Sequence, residues 1–464
     1  MRVVAFASVL AGCASSSSAP AVKVPTALTA EDSAETPAPK PKHPKPEADG
    51  AHVLLAITGL SAAPTAITSA DLSRDYCAGT IIPIDGVQAV ADKQFGCDAA
   101  ASMPLADFAK KAKTKIAVTD LDHVTAQFKA LDVDGVSFFA KPADYPLVIG
   151  ERDPRPDYKP HLTHFIMTGV TAITRAMGVA CEQHGVDWLT AKIRDEFADA
   201  DYVHVSNEVS FKPGCTYAGA TYSFCSREGD FKALLDLHVN VVELTSNHNR
   251  DFGDEPFKKT FAWYGKHDIK TFGAGLTPEG ANEPIMLDLA DGKHLGIVGF
   301  NESCPLHECA KRPDEVGANA YDSAKAKNDI AKLREAGADV VMVTVQFREW
   351  DNPEPTKSQA KIAHELIDAG ADLVYGSQAH QLQVVEFYNG KPIFHGIGNL
   401  LFDQIHRLGV RQAFFVHHYF FHGKLVQSVP VFTLMSMDRQ PTLATPAQAE
   451  DMKKIIYRDA LIYR

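Results

Sequence analysis

From His164 onward the sequence repeats one pattern: a short apolar run followed by a knot of hydrogen-bonding residues. The apolar runs are His164–Met167, Tyr202–Val205, Val239–Leu244, Leu295–Phe300, Val340–Val345, Leu373–Tyr375 and Lys391–His395. Their length and β-branched content read as buried strands. Helical patterns separate most of them, among them Ala324–Ala336 and Ser358–Ala369. Gly337 and Gly370 stand where each of those two helices should stop. Alternating strands and helices imply an α/β architecture with a largely parallel sheet.

In open α/β sheets, ligands gather beyond the carboxyl ends of the strands. Here those ends carry Thr168-Gly169-Val170-Thr171, Ser206-Asn207-Glu208, Asn247-His248 with Asp251, Gln346 with Arg348 and Glu349, Gln378 with His380, and Asn399 with Asp403 and Gln404. One such cluster is ordinarily a turn or a cap, but a series of six implies a site. Amides and hydroxyls suit an amide- or sugar-containing ligand, which offers both donors and acceptors. The expected ligand-binding residues are Thr168, Thr171, Asn207, Asp251, Gln346, Glu349, Gln378, Asn399, Asp403 and Gln404. Arg175, Arg250, Arg348, Arg407 and Arg411 are candidate cations for an anionic ligand.

The ordered series Asn247-His248-x-x-Asp251-x-Gly253, Gly376-x-x-x-His380, Gly390-Lys391-Pro392-Ile393 and Gly398-Asn399-x-x-Phe402-Asp403-Gln404 resembles the CapA family of poly-γ-glutamate capsule biosynthesis. The resemblance covers roughly residues 163–435. It implies a four-layer α/β/β/α sandwich of the calcineurin-type metallophosphatase kind over residues 151–464. Met167 to Ala172, Ser206-Asn207-Glu208, Phe224-Cys225-Ser226 and Gly376 to His380 look like one branch of that family. In that branch a cysteine precedes the Phe-Cys-Ser, which supports a Cys215–Cys225 bridge. Residues 51–150 read as a small α/β unit and resemble part of a periplasmic binding protein. Its strands are expected at 53–57, 115–118 and 131–136, with a helix starting near Ser69.

A two-metal phosphoesterase uses carboxylates, an Asn and several His to hold ions that activate water. The resemblance places Gly169 where metal-dependent members carry the first-strand Asp. Gln346 replaces one His, and Gln378 replaces one of the two in Gly-His-x-His. Asn247 and His248 remain, with His380, Glu208 and Glu349. This donor set calls for no cofactor beyond, at most, a single weakly held divalent ion on His248, His380 and Glu208. Acid–base work without metal is the alternative, carried by His248 or His380 with Glu208 orienting and Asn247 alongside. Three readings stay open. The first is binding or hydrolysis/transfer of a polymer at a metal-depleted site. The second is an active metal-dependent phosphoesterase, and the third is a non-catalytic solute- or polymer-binding lipoprotein.

The N-terminus bears on location. Arg2, the apolar run Val3–Ala11 and Leu10-Ala11-Gly12-Cys13 form a short secretory signal whose ending resembles a lipobox. Residues 1–13 are thus expected to be a signal, with Cys13 lipidated. Residues 14–50 hold seven prolines in 37 positions and a four-serine run, the composition of an extended tether. With Ala14 next, the resemblance implies the outer membrane of the cell envelope, facing the periplasm or the outside. No stretch of roughly 18 apolar residues occurs. An oxidising compartment favours disulfides, and the local pairs are Cys77–Cys97, Cys215–Cys225 and Cys304–Cys309, with Cys181 left as a buried thiol. Zinc is the weaker alternative, since no C-x-x-C pair occurs. A formal charge of −12 argues against nucleic acid. The expected partners are an anionic extracellular polymer or cell-wall peptide, and the membrane through the lipid.

Overall fold

The computed structural model describes residues 52–98, 101–149, 157–217, 222–304 and 308–463. Cys13, the signal and the 14–50 tether lie outside the described residues. Gly50–Arg464 forms one compact unit.

Two sheets face each other in its centre. The first runs Lys270–Phe272, Val241–Glu243, Tyr202–Asn207, Leu162–Thr171, Gln412–Phe421, Lys424–Met435 and Pro441–Leu443, with Asn399–Leu401 beside the end of Leu162–Thr171. The second runs Ile285–Leu289, Lys293–Asn301, Val340–Gln346, Leu373–Ser377, Lys391–Phe394 and Val385–Tyr388. Phe165, Met167, Val241 and Phe272 of one sheet pack against Leu295, Ile297, Met342 and Tyr375 of the other. Burying both faces explains why these strands read as unbroken apolar runs rather than alternating ones.

Helices cover the two outer faces. Met177, Cys181, Phe257 and Tyr264 cover the first sheet, while Ile330, Leu333, Ile362 and Leu366 cover the second. The result is the expected α/β/β/α sandwich. Helix Lys357–Asp368 starts at a capping box, in which the Thr356 hydroxyl accepts from the Gln359 N–H at 3.1 Å. Helix Ser323–Glu335 starts on Asp322, whose carboxylate accepts from the Lys325 N–H at 2.8 Å. Gly337 (φ 96°) and Gly370 (φ 110°) follow the two helices in the conformation that releases the chain into a strand.

Residues 52–149 build a five-stranded sheet of their own around His52–Gly59. The expected strand over 131–136 is shorter: Asp132–Val133 pairs with Ala66–Ile67, and Asp134 and Gly135, with positive φ, turn the chain so that Val136 bridges back to Val133. The core of this segment continues into the Gln412–Met435 hairpin through Tyr419, Phe421 and Val426. Gln427 ties the two together, accepting from the Ala130 N–H at 3.1 Å and donating to the Phe128 carbonyl at 3.2 Å. The three local disulfides are all present, and Cys181 is a buried free thiol.

Candidate functional site

Strand geometry fixes the site's backbone before its side chains. The Glu208 N–H donates to the Thr171 carbonyl at 2.9 Å, extending the pairing between the first two strands by one residue. Ser246 then locks the next loop, donating to the Glu208 carbonyl at 3.2 Å and accepting from the His248 N–H at 3.0 Å. Glu208 and His248 are therefore set by neighbouring strand ends rather than by free loops.

His248 sits with Nδ1 2.8 Å from Asp251 Oδ2 and its ring against Phe224, centroids 4.1 Å apart. Burial works against its charge. The Asp251 hydrogen bond and the charges of Glu208, Asp251 and Glu308 outweigh that penalty and hold its pKa above the usual range. Glu208 is fully buried, and its Oε2 has no hydrogen-bond partner among the described residues. Burial pushes its carboxyl up to about 7, against the opposing pull of His248, and Glu349, Glu243 and Asp251 add to the rise. Glu308 is likewise pushed up to about 7, first by burial and then by Asp251. His248, Glu208 and Glu308 thus form one electrostatic cluster around Asp251 in which both buried carboxyls are raised.

The amides form a second group. Gln346 donates through Nε2 to Asn247 Oδ1 at 2.8 Å and to Gln378 Oε1, and it lies 3.5 Å from Glu208 Oε1. Its own carbonyl accepts from Asn301 at 3.2 Å. His380 pairs through Nδ1 with Asn399 Oδ1 at 2.8 Å, and Asn399 donates back to the His380 carbonyl at 3.2 Å. Burial, with the nearby His248 and Arg175 charges, lowers the His380 pKa to about 4, so it is neutral at pH 7. Asp403 accepts from Arg175 Nε at 3.1 Å and from the Ala176 N–H at 3.2 Å. The Arg175 guanidinium lies over both the Phe224 and the Phe402 ring, 4.4 and 5.1 Å from their centroids. Arg175 (φ 45°), Gln378 (φ 78°) and His380 (φ 52°) all occupy the left-handed region, a strain that clusters at functional sites.

Other expected residues play different parts. Thr171 donates to Asn207, and Asn207 donates to the Val209 carbonyl and to Tyr264, so both are spent inside the fold. Thr168 is buried, and its carbonyl accepts from Tyr375 at 3.0 Å. Glu349 is exposed at the rim, and Gln404 holds a buried Oε1 without a partner among the described residues. Arg250 pairs with Asp254, Arg407 with Asp351, and Arg411 with the Met435 carbonyl. Arg348 is exposed. Glu308 carries no signal in the strand-end pattern. It lies in the short loop closed by Cys304–Cys309, outside any strand end.

A two-metal centre does not fit this residue set. A Cβ on Gly169 would lie 2.0 Å from the Gly398 carbonyl oxygen, so the first-strand position has no room for a carboxylate. Gln346, which stands where a His ligand would, spends its amide N–H on Asn247 and its amide carbonyl on Asn301. Among the described residues, the one group of three His, Cys, Asp or Glu with converging ligand atoms is His161, Asp291 and His422. Glu208, His248 and His380 do not share such a shell. Beside the site an open groove of about 480 Å³ is lined by Arg175, Gln183, Tyr217, Asp403, Asp438 and Arg439. The Arg439 Nε is buried without a partner among the described residues.

Comparison with known proteins places this geometry. Residues 164–404 match the family described as bacterial capsule synthesis protein PGA_cap. The chain is 28% identical over 226 residues to the PGA biosynthesis protein CapA of Bacillus subtilis, covering 48% of this chain and 59% of that protein. It is 24% identical over 244 residues to the capsule biosynthesis protein CapA of Bacillus anthracis, covering 51% and 59%. The chain thus spans less than two thirds of the length of either relative. Among solved structures, it is similar to a 5′-nucleotidase precursor from Thermus thermophilus, with a TM-score of 0.39 and 15% identity over 65% of this chain and 58% of that one. It is also similar to the calcineurin-like phosphoesterase YfkN of Bacillus subtilis, with a TM-score of 0.33 and 12% identity over 58% and 90%.

Proposed function

Because the chain belongs to the bacterial capsule synthesis protein family, we propose that it acts in making an anionic cell-surface polymer of the poly-γ-glutamate kind. The polymer binds along the groove and is hydrolysed or transferred at the strand ends without a two-metal centre. The observation that carries this reading is the buried Glu208 beside His248, with Asp251 on the far ring nitrogen.

The chemistry follows from those three groups. Asp251 commits His248 Nδ1, which leaves Nε2 as the nitrogen able to take or give a proton. Asp251 fixes the ring as a carboxylate partner does in a hydrolytic triad. Glu208, titrating near neutrality, stabilises the imidazolium when ionised and can return a proton when neutral. Neutral His380 serves as a polar wall. Arg439, whose Nε has no partner among the described residues, supplies positive charge along the groove for side carboxylates of the polymer, whereas Arg175 is already paired with Asp403.

A second reading is polymer binding without bond chemistry. The hydrogen bonds from the Gln346 amide to Asn247 and Gln378 favour it, since they occupy acceptors that would otherwise meet a ligand. Incubating the metal-stripped protein with γ-glutamyl oligomers, with products read by mass spectrometry, separates the two. The proposal expects chain shortening or transfer products that persist in chelator and vanish in His248→Ala and Glu208→Gln. Products appearing only with added divalent metal would overturn it, and binding with no products would favour the second reading.

The location proposed is the cell envelope, with lipid attachment at Cys13 and residues 14–50 as tether to the outer membrane. Among the described residues no helix is long and apolar enough to cross a membrane, which is compatible with a lipid anchor.

A further inference from the structure

Three turns distant in sequence meet at the end of the sandwich opposite the strand-end site. His161 ends the short turn before strand Leu162–Thr171, Asp291 lies between Ile285–Leu289 and Lys293–Asn301, and His422 is in the two-residue loop between Gln412–Phe421 and Lys424–Met435. His161 Nδ1 lies 2.7 Å from Asp291 Oδ1, and His422 Nε2 lies 3.4 Å from Asp291 Oδ2. One donor atom from each residue falls within 4.8 Å of the other two. All three are solvent-accessible.

We infer that His161, Asp291 and His422 form a binding site for a borderline transition-metal ion such as Zn²⁺. A tetrahedral ion with bonds of about 2.0–2.1 Å separates neighbouring donors by roughly 3.3 Å. The 3.4 Å spacing from His422 Nε2 to Asp291 Oδ2 is close to this, while the 2.7 Å contact, made by the other oxygen Oδ1, opens when His161 Nδ1 turns to the metal and its ring proton moves to Nε2. Two imidazoles and one carboxylate select zinc, nickel or copper over magnesium or calcium. Water completes the shell from the exposed side.

Two further observations support the site. The loop His422-Gly423, with φ of 48° and 72°, is a tight hairpin turn in which Asn, Asp or Gly would be the ordinary first residue. Turn chemistry therefore does not explain the imidazole. The neighbouring cation Lys293 is drawn off to Asp339 at 3.1 Å, which leaves Asp291 to set the local charge. Seven to ten residues of extended strand separate His161 from Thr168 and Thr171, roughly 23–33 Å at ~3.3 Å per residue. An ion here cannot serve the strand-end chemistry. It would staple the first sheet, through His161 and His422, to the second sheet, through Asp291.

The test is titration of the full, untagged chain with Zn²⁺ by calorimetry, alongside thermal unfolding with and without the metal. One ion per chain and a higher Tm with zinc are expected. His422→Asn, which suits the turn, and Asp291→Asn should each weaken that binding by about tenfold or more and abolish the Tm gain. His248→Ala should leave both unchanged. Unaltered zinc affinity in His422→Asn and Asp291→Asn, loss of it in His248→Ala, or no stoichiometric binding would each overturn the inference.

Discussion

Gly169→Ala probes why the site lacks the carboxylate of a two-metal centre. The added Cβ would lie 2.0 Å from the Gly398 oxygen and 2.9 Å from its carbonyl carbon, where ordinary contact begins at 3.4 Å. The neighbouring chain cannot retreat. Gly398 is in the left-handed region (φ 85°), and a Cβ there would itself meet the Gln412 oxygen at 2.7 Å and Ala413 at 2.8 Å. The contact also carries the hydrogen bond from the Val170 N–H to the Gly398 carbonyl, 3.1 Å. Overpacking a tight core costs about 1–3 kcal/mol, and a lost buried hydrogen bond adds about 1–2. Gly169→Ala should therefore lose about 3 kcal/mol or more in urea unfolding. Gly229→Ala, where nothing lies within 4 Å, should stay within about 0.5 kcal/mol. A Gly169→Ala protein as stable as the wild type would refute the reasoning, and so would a Gly169→Asp protein that folds normally and gains metal.

Other outcomes follow from the buried groups. His417 and His418 are held down to about 3, chiefly by burial, with neighbouring imidazoles adding to the effect. Both accept protons more readily unfolded, so the stability they allow is complete above pH ~6.5 and falls as pH drops toward 3. At pH 5 this amounts to about 2 kcal/mol per imidazole. Urea melts at pH 7.5 and 5 should show the loss, and His418→Gln should blunt it. Replacing Cys77 and Cys97 by Ser opens a loop of 20 residues and should cost about 3 kcal/mol, read as a lower urea midpoint.

Much of the fold is legible because strand burial and helix stops leave strong local marks. The apolar runs at 295–300 and 340–345, and Gly337 and Gly370, mark their elements directly. The Gln412–Met435 hairpin is not legible in the same way. Phe414 to Phe421 is an aromatic run interrupted by Val416 and two histidines, which matches neither strand alternation nor a helical stripe, and only His422-Gly423 hints at the turn. At the site, residues that follow strands (Glu208, His248, Gln346, Gln378, His380) meet as their positions imply. Sequence position does not reveal direction. Thr171 and Asn207 end strands as well, yet Thr171 bonds Asn207 and Asn207 bonds Tyr264 inside the fold. Glu308, and the trio of His161, Asp291 and His422, depend on turns brought together only by tertiary packing.

The account stands or falls on whether the groove and strand ends engage an anionic polymer without metal. Fluorescence anisotropy of labelled poly-γ-glutamate, titrated with chelator-treated protein at pH 7, measures this. Saturable binding that survives chelation and weakens about tenfold or more in Arg439→Ala and His248→Ala is expected. Absence of binding, dependence on added divalent metal, or indifference to both substitutions would contradict it.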